Sequence, residues 1–237
     1  MKIAVIVPTL NNQAQGYEAL ASIQTEFQWE PFIIPNWKHK WCLSKAWNEG
    51  IMRALAKGYD HFLVINDDIL MSPYSIDQMA VELERNDDCV MVTPTNVRDS
   101  ISVDEFENIS VNFFPSEDYL HSSPDFSCFL INEETWVNIG MFDENFKPAY
   151  FEDNDYHRRI LLAGKKALRA TNIPFYHYGS QTQNKDLFNP AVPSILFELN
   201  RAYYFRKWGG FPGAETYSYP YNDPNIPINL WTPNLNQ

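Results

Sequence analysis

Three polar clusters stand where apolar runs end. Asn66-Asp67-Asp68 follows the run Phe62–Ile65. Adjacent carboxylates at a strand end hold a hard divalent cation through oxygen and leave positions open for a diphosphate, although such acids also serve turns. Phe151-Glu152-Asp153-Asn154-Asp155 sets three acids before a helix-like stretch carrying Arg158, Arg159, Lys165 and Lys166. Acids favour helix N-termini, but three within four positions exceed what capping requires. Tyr176-His177-Tyr178-Gly179-Ser180 follows Ile173–Phe175 and offers one histidine, a ligand or a structural residue; His39, His61, His121 and His157 have weaker contexts. Pro8-Thr9-Leu10-Asn11-Asn12 leaves the first apolar run with polar groups and backbone amides suited to contact a nucleotide.

Other site chemistries lack their motifs. No G-x-G-x-x-G follows the first run and no G-x-x-x-x-G-K-[ST] occurs, which removes the main support for dinucleotide and P-loop sites. No G-x-S-x-G elbow occurs, which weakens a hydrolase reading.

The elements that must position these clusters alternate. Ile3–Val7, Pro31–Ile34, Phe62–Ile65, Cys89–Thr93 and Phe126–Ile131 have strand length and composition. Leu43, Ala46, Trp47, Gly50, Ile51, Ala54 and Leu55 recur on one helical face, with Gly58 as a stop. Ser75 and Gln78 form an expected capping box for a helix with the stripe Ile76, Met79, Ala80 and Leu83. Further helices are expected from Asn132 to Ile139, from Asp153 to Ala163 and from Pro193 to Trp208. Strands alternating with helices imply a mainly parallel sheet covered on both faces, with ligands at the strand C-terminal edge. After about Gly209, prolines excluding a regular helix stand among tyrosines, asparagines and Trp231. This reads as an irregular tail over 210–237 that packs on a domain spanning 1–209 or on a neighbouring subunit, the latter making a homo-oligomer.

Composition narrows the partners. The 237 residues are 45% hydrophobic and 15% aromatic, enough for one large domain with a sizeable core. The formal net charge of −12, with no long basic run, disfavours nucleic acid as an electrostatic ligand. The excess is local: residues 99–146 hold eleven acids and no Lys or Arg, and the rest of the chain nets −1. Cys42, Cys89 and Cys128 are widely spaced without metal-type pairing and read as buried thiols in a reducing compartment. The first apolar run is too short for a membrane span and carries no cleavage site, and no integral membrane segment is expected, which points to the cytoplasm.

The order of these pieces resembles a known family. Val5-Ile6-Val7-Pro8-Thr9-Leu10-Asn11-Asn12, Lys45-Ala46-Trp47-Asn48-Glu49-Gly50-Ile51 and Leu63-Val64-Ile65-Asn66-Asp67-Asp68 together resemble the nucleotide-sugar half of family 2 glycosyltransferases of the GT-A fold. Phe126 to Ile131, Gly140 to Phe146, Phe151 to Asp155 and Arg159…Gly164 resemble the acceptor half. His177-Tyr178-Gly179-Ser180 and Tyr203-Tyr204…Lys207-Trp208-Gly209 are similar to later signatures of the rhamnosyltransferase-like branch. The resemblance spans roughly residues 3 to 209, and the joint order is more specific than any single motif.

The resemblance implies an α/β fold of GT-A (Rossmann-like) type, a mixed, mainly parallel sheet flanked by helices. It implies a metal-dependent inverting transferase that moves a hexosyl or deoxyhexosyl unit from a nucleoside-diphosphate sugar, of UDP or dTDP type, to a hydroxyl of a saccharide or other acceptor. Asp68 would be the main ligand of Mn²⁺ or Mg²⁺ with His177 a second ligand or diphosphate contact, and Asp67 its neighbour. Asn66 would face the donor, with Pro8, Thr9 and Asn11 lining the nucleotide and Lys45 and Asn48 near the phosphates. Asp153 would be the general base, with Glu152 and Asp155 orienting acceptor and base. Two departures stand out: Asn66 replaces the first acid of D-x-D, and Pro35-Asn36-Trp37-Lys38 replaces the acidic turn that reads the base. The acid-rich 99–146 segment would lie on the acceptor side and favour a neutral or basic acceptor. A noncatalytic carbohydrate or nucleotide-sugar binding module and a nucleotidyltransferase are the alternatives.

Overall fold

The structure, a computed structural model, describes residues 1–9, 13–108, 117–118, 125–179 and 191–229. In chain order the elements are β1 (Lys2–Thr9), α1 (Gln13–Ala21), β2 (Gln28–Pro35), α2 (Asn36–His39), α3 (Leu43–Ala56), β3 (His61–Ile65), β4 (Ile69–Met71) and α4 (Ser75–Arg85). They continue with β5 (Cys89–Asn96), α5 (Val103–Glu107), β6 (Glu117–Asp118), β7 (Cys128–Asn132), α6 (Glu133–Ile139), α7 (Glu152–Leu162), β8 (Lys166–His177) and α8 (Ala191–Trp208).

The strands form one mixed sheet in the order β2-β1-β3-β7-β5-β8-β4, with β6 paired to β8. The longest ladders are parallel, β1 with β2 and β5 with β8, and β1 also pairs parallel with β3. β7 runs antiparallel between β3 and β5, and β4 antiparallel beside β8.

Alternation along β1 builds both faces. Ile3, Val5 and Val7 enter one core with Ala19 and Leu20 of α1 and Ile76, Met79, Ala80 and Leu83 of α4. Ala4 and Ile6 enter the other with Ala46, Trp47, Ile51 and Ala54 of α3, Trp136 and Ile139 of α6, and Tyr156 and Ile160 of α7. A strand covered on both faces reads as a continuous apolar run, which is why β1 and β3 are legible in the sequence. Gly50 lets α3 lie close to the sheet, since a Cβ there would collide with the Ile6 side chain. A third cluster, Phe146, Phe151, Tyr204 and Trp208, joins α8 to the start of α7.

The expected capping box at Ser75 and Gln78 is absent. Tyr74 is the N-cap in the left-handed region (φ 57), makes no side-chain cap, and leaves Ser75 inside the first turn. A capping box forms instead at α5, between Ser102 and Glu105. The described part of the tail folds back on its own chain: Thr216 and Tyr217 N–H groups donate to Trp208 O, and Arg158 Nη2 donates to Tyr217 O at 3.0 Å. All three cysteines are free and buried.

Candidate active site

Strand direction gathers the site. β1, β2, β3, β5 and β8 run one way, so their C-terminal ends share an edge, and β7 enters from that same edge. Thr9, Asn66-Asp67-Asp68, Arg98, His177 and, just before β7, Asp125 therefore stand along it. This is the edge where ligands bind in open α/β sheets.

Asp68 and His177, 109 positions apart, meet through His177 Nε2 and Asp68 Oδ1 at 3.0 Å. Register explains it: Ile69 pairs with His177, and Tyr178 N–H donates to Asp68 O at 3.0 Å. Burial alone would lower the His177 pKa, but the hydrogen bond and charge of Asp68, with the charge of Asp125, raise it above the ordinary 6.5. Asp67 and Asp68 are each 8% exposed, and Asn66 N–H donates to Ser127 O at 2.8 Å, fixing the loop against β7. Gly179 (φ 69) packs against the Arg98 guanidinium, setting a cation beside the pair.

The second half of the site is the start of α7. Tyr150 (φ 82) and Phe151 (φ 72) both occupy the left-handed region, a strained approach that costs on the order of 1–3 kcal/mol per residue and clusters at functional sites. Glu152 is buried with Oε2 lacking a hydrogen-bond partner, and burial followed by the Asp153 charge pushes its pKa well above the usual carboxylate range. Asp153 is half-buried; its Oδ1 accepts the Asn154 N–H at 2.8 Å. Burial, with the Asp125 charge adding and that N–H opposing, pushes its pKa up to about 7. A carboxylate tuned to that range serves as a general base near neutral pH.

Other expected contacts are engaged within the fold. Asp155 is fully buried, bonded to Arg159 (3.1 Å), Lys207 (2.6 Å) and Trp208 Nε1 (2.9 Å); its carboxylate pins α7 to α8 instead of orienting an acceptor. Despite burial, Lys207 and Arg159 hold its pKa below the ordinary 3.8. Asn48 is buried and spans the 142–144 loop, donating to Phe142 O (2.9 Å) and Glu144 Oε1 (3.1 Å) and accepting from Phe142 N–H (2.9 Å), which leaves it no free reach to a phosphate. Lys45 lies on Glu144 at 3.2 Å. Pro8 and Thr9 are buried at the end of β1, with Thr9 Oγ1 unpartnered, and Asn11 lies outside the described residues. The acids of the 99–146 segment do not all face outward, since Asp143 is fully buried on Lys207 (2.7 Å) and Tyr203 OH (2.9 Å).

Two further residues belong to the site without a motif to announce them. Asp125 accepts the Ser127 N–H at 3.0 Å, and its charge acts on both His177 and Asp153, linking the two halves. Arg98 has one sequence signal, its place as the last base before the acid-rich segment.

A divalent cation suits part of this donor set. Asp68 offers oxygen and His177 nitrogen; Mn²⁺ accepts both, whereas Mg²⁺ favours oxygen alone. Among the described residues, no group of three His, Cys, Asp or Glu side chains converges to hold a metal.

The sequence matches no protein-family profile and no curated protein. In structure, the chain is similar to GalNAc-T7 crystallised with UDP, GalNAc and Mn²⁺, at TM-score 0.55 and 10% identity over 87% of this chain and 50% of that one. It thus spans half the length of that chain. It is also similar to the catalytic domain of Drosophila beta1,4galactosyltransferase 7 in complex with xylobiose, at TM-score 0.52 and 13% identity over 82% of this chain and 79% of that one. S. aureus TarS 1-349 matches at TM-score 0.52 and 15% identity, over 87% of this chain and 73% of that one. At these identities the likeness is one of fold, and the fold is GT-A.

Proposed function

We infer that the chain is an inverting glycosyltransferase that moves a sugar from a nucleoside-diphosphate sugar to an acceptor hydroxyl with the help of a divalent cation. The observation that carries this reading is the Asp68–His177 hydrogen bond (3.0 Å) at the C-terminal edge of the sheet; the half-buried Asp153 at the start of α7, its pKa pushed up to about 7, supports it. In this reading Asp153 takes the proton of the acceptor hydroxyl as that oxygen attacks the anomeric carbon. The bond from that carbon to the diphosphate breaks on the opposite face, which inverts the centre. Mn²⁺ or Mg²⁺, held by Asp68 and His177, would neutralise the leaving diphosphate. Arg98 adds a fixed positive charge beside them. Burial, followed by the Asp153 charge, favours the protonated form of Glu152, which weakens a second negative charge beside the base.

The same reading takes in the finer expectations: a family 2 enzyme of the rhamnosyltransferase-like branch, a UDP- or dTDP-linked hexose or deoxyhexose donor, a saccharide acceptor and a cytoplasmic location. It is supported by the fold shared with GalNAc-T7, beta1,4galactosyltransferase 7 and TarS, and by Mn²⁺ and UDP in the GalNAc-T7 crystal. The test is a thermal-shift screen of nucleoside diphosphates and their sugars with Mn²⁺, followed by turnover of the best donor with saccharide acceptors. Stabilisation that needs both Mn²⁺ and Asp68, with transfer that needs Asp153, is expected. Chelator-insensitive transfer would remove the metal assignment, and undiminished transfer by Asp153→Asn would remove the base.

A further inference from the structure

Two aromatic rings that touch each other stand in water at the start of α7. Tyr150 is 37% exposed and Phe197 of α8 is 38% exposed, and they meet edge to face with centroids 5.5 Å apart. Aromatic surface left in water forfeits the gain of burial, so a pair kept there points to a use beyond packing.

The backbone is strained where it presents Tyr150. Tyr150 (φ 82) and Phe151 (φ 72) both take the left-handed region, which glycine enters freely and other residues enter at a cost. The turn sends Phe151 inward, 8% exposed, against Phe197 (5.1 Å) and Tyr204 (5.7 Å), and leaves Tyr150 outward. Buried Asn200 fixes the loop from behind: it accepts the Lys147 N–H (3.2 Å) and donates to Ala149 O (2.8 Å) and Tyr150 O (3.3 Å). Pro148 O also accepts the Leu43 N–H at 2.9 Å. A ring held in this way is ordered before any ligand arrives, which lowers the cost of binding.

The two rings sit at the end of α7 that carries the candidate base. Phe151 is the N-cap of α7, and Asp153 lies in the first turn. Phe197 touches both Phe151 and Tyr150, so the ring pair and Asp153 share that end of the helix.

A sugar ring fits this combination. The face of a pyranose is a patch of C–H bonds, which lies well on the negative face of an aromatic ring, and its hydroxyls project from the edge toward polar partners. A purely apolar ligand would set hydrocarbon against the Asp153 carboxyl, whereas a saccharide brings the hydroxyl that this carboxyl can accept from. We propose that Tyr150, backed by Phe197, is the stacking platform for the acceptor saccharide and lays the C–H face of its pyranose ring beside Asp153. The proposal rests on the reading of Asp153 as the base that takes the acceptor proton.

Saturation-transfer NMR on the full chain tests it, with the methyl β-glycosides of glucose, galactose and mannose as probes. Saturation should enter through the C–H protons of one ring face. Tyr150→Ala or Phe197→Ala should weaken binding roughly three- to tenfold, and Tyr150→Phe should keep it. Tyr150→Gly relaxes the left-handed backbone, so it should melt no lower than Tyr150→Ala and bind no better, which separates the ring from the fold. In turnover, Tyr150→Ala should raise the acceptor KM and leave the donor KM unchanged. Tyr150-dependent binding without stabilisation by any nucleoside diphosphate and Mn²⁺ would support the platform and remove the transferase reading. Binding unaffected by Tyr150→Ala, or no binding of any of these glycosides, would overturn the platform, and stabilisation by a nucleoside diphosphate with Mn²⁺ in the same samples would leave the transferase reading standing.

Discussion

Replacing Asp153 by Asn should make the protein more stable while removing its activity. In the folded chain the Asp153 carboxyl titrates at about 7 against an ordinary 3.8, because burial and the Asp125 charge disfavour its ionised form. Between those values the folded state keeps a proton that the unfolded chain has lost, so the native carboxyl costs stability as pH rises from about 4 to about 7. A tenfold difference in proton affinity between the folded and unfolded chain is worth about 1.4 kcal/mol, which gives a ceiling of about 4 kcal/mol. Interaction with neighbouring groups and partial exposure to solvent bring the expected gain to about 2–4 kcal/mol. Asn keeps an oxygen for the Asn154 N–H and has no proton to hold. Urea denaturation of both proteins should therefore show no difference near about pH 4 and the full gain above about pH 8. Transfer should fall by roughly 10²–10⁴ in the same variant. A gain that is absent, or that does not change with pH, would refute the claim that this carboxyl is held away from its ordinary range.

Other outcomes follow from the same geometry. Wild-type kcat/KM should rise with pH through about 7, the deprotonation of Asp153, and Asp125→Asn should move that limb to lower pH; an unmoved limb would detach Asp125 from the base. Lys207→Met leaves Asp143 and Asp155 buried without their shared cation and should cost about 3–5 kcal/mol in chemical denaturation. Gly50→Ala forces α3 away from Ile6 and should lose about 1–3 kcal/mol despite the better helix propensity of Ala. Asp68→Asn should abolish Mn²⁺-dependent stabilisation by nucleoside diphosphates while leaving the unliganded melting temperature nearly unchanged.

What is readable in the sequence follows from where each signal is stored. The runs that form β1 and β3 are buried on both faces, so every position is apolar, and Leu43–Leu55 repeats with a helical period because only one side of α3 meets the sheet. β8 is hidden because its middle carries Arg169, Thr171 and Asn172, and only its end, Ile173–Phe175, reads as apolar. Asp68 and His177 are both visible at the ends of apolar runs, but their hydrogen bond depends on the antiparallel register of β4 with β8. Asp125 takes its position from the pairing of β3 with β7, and nothing local distinguishes it from ten other acids in its segment. Asp155 and Asn48 look like ligand contacts in the sequence because their partners, Trp208 and the Phe142 backbone, lie 53 and 94 positions away. A long-range partner decides whether a polar side chain is available, and spacing along the chain does not record it.

The most direct measurement is the identity of the products formed from a nucleoside-diphosphate sugar with Mn²⁺ and a saccharide acceptor, resolved by mass and by the configuration of the new linkage. Inverting sugar transfer should yield free nucleoside diphosphate and an acceptor heavier by one sugar with inverted anomeric configuration, and Asp153→Asn should lose both products. Pyrophosphate release, a retained configuration, or saturable binding without any product would contradict it.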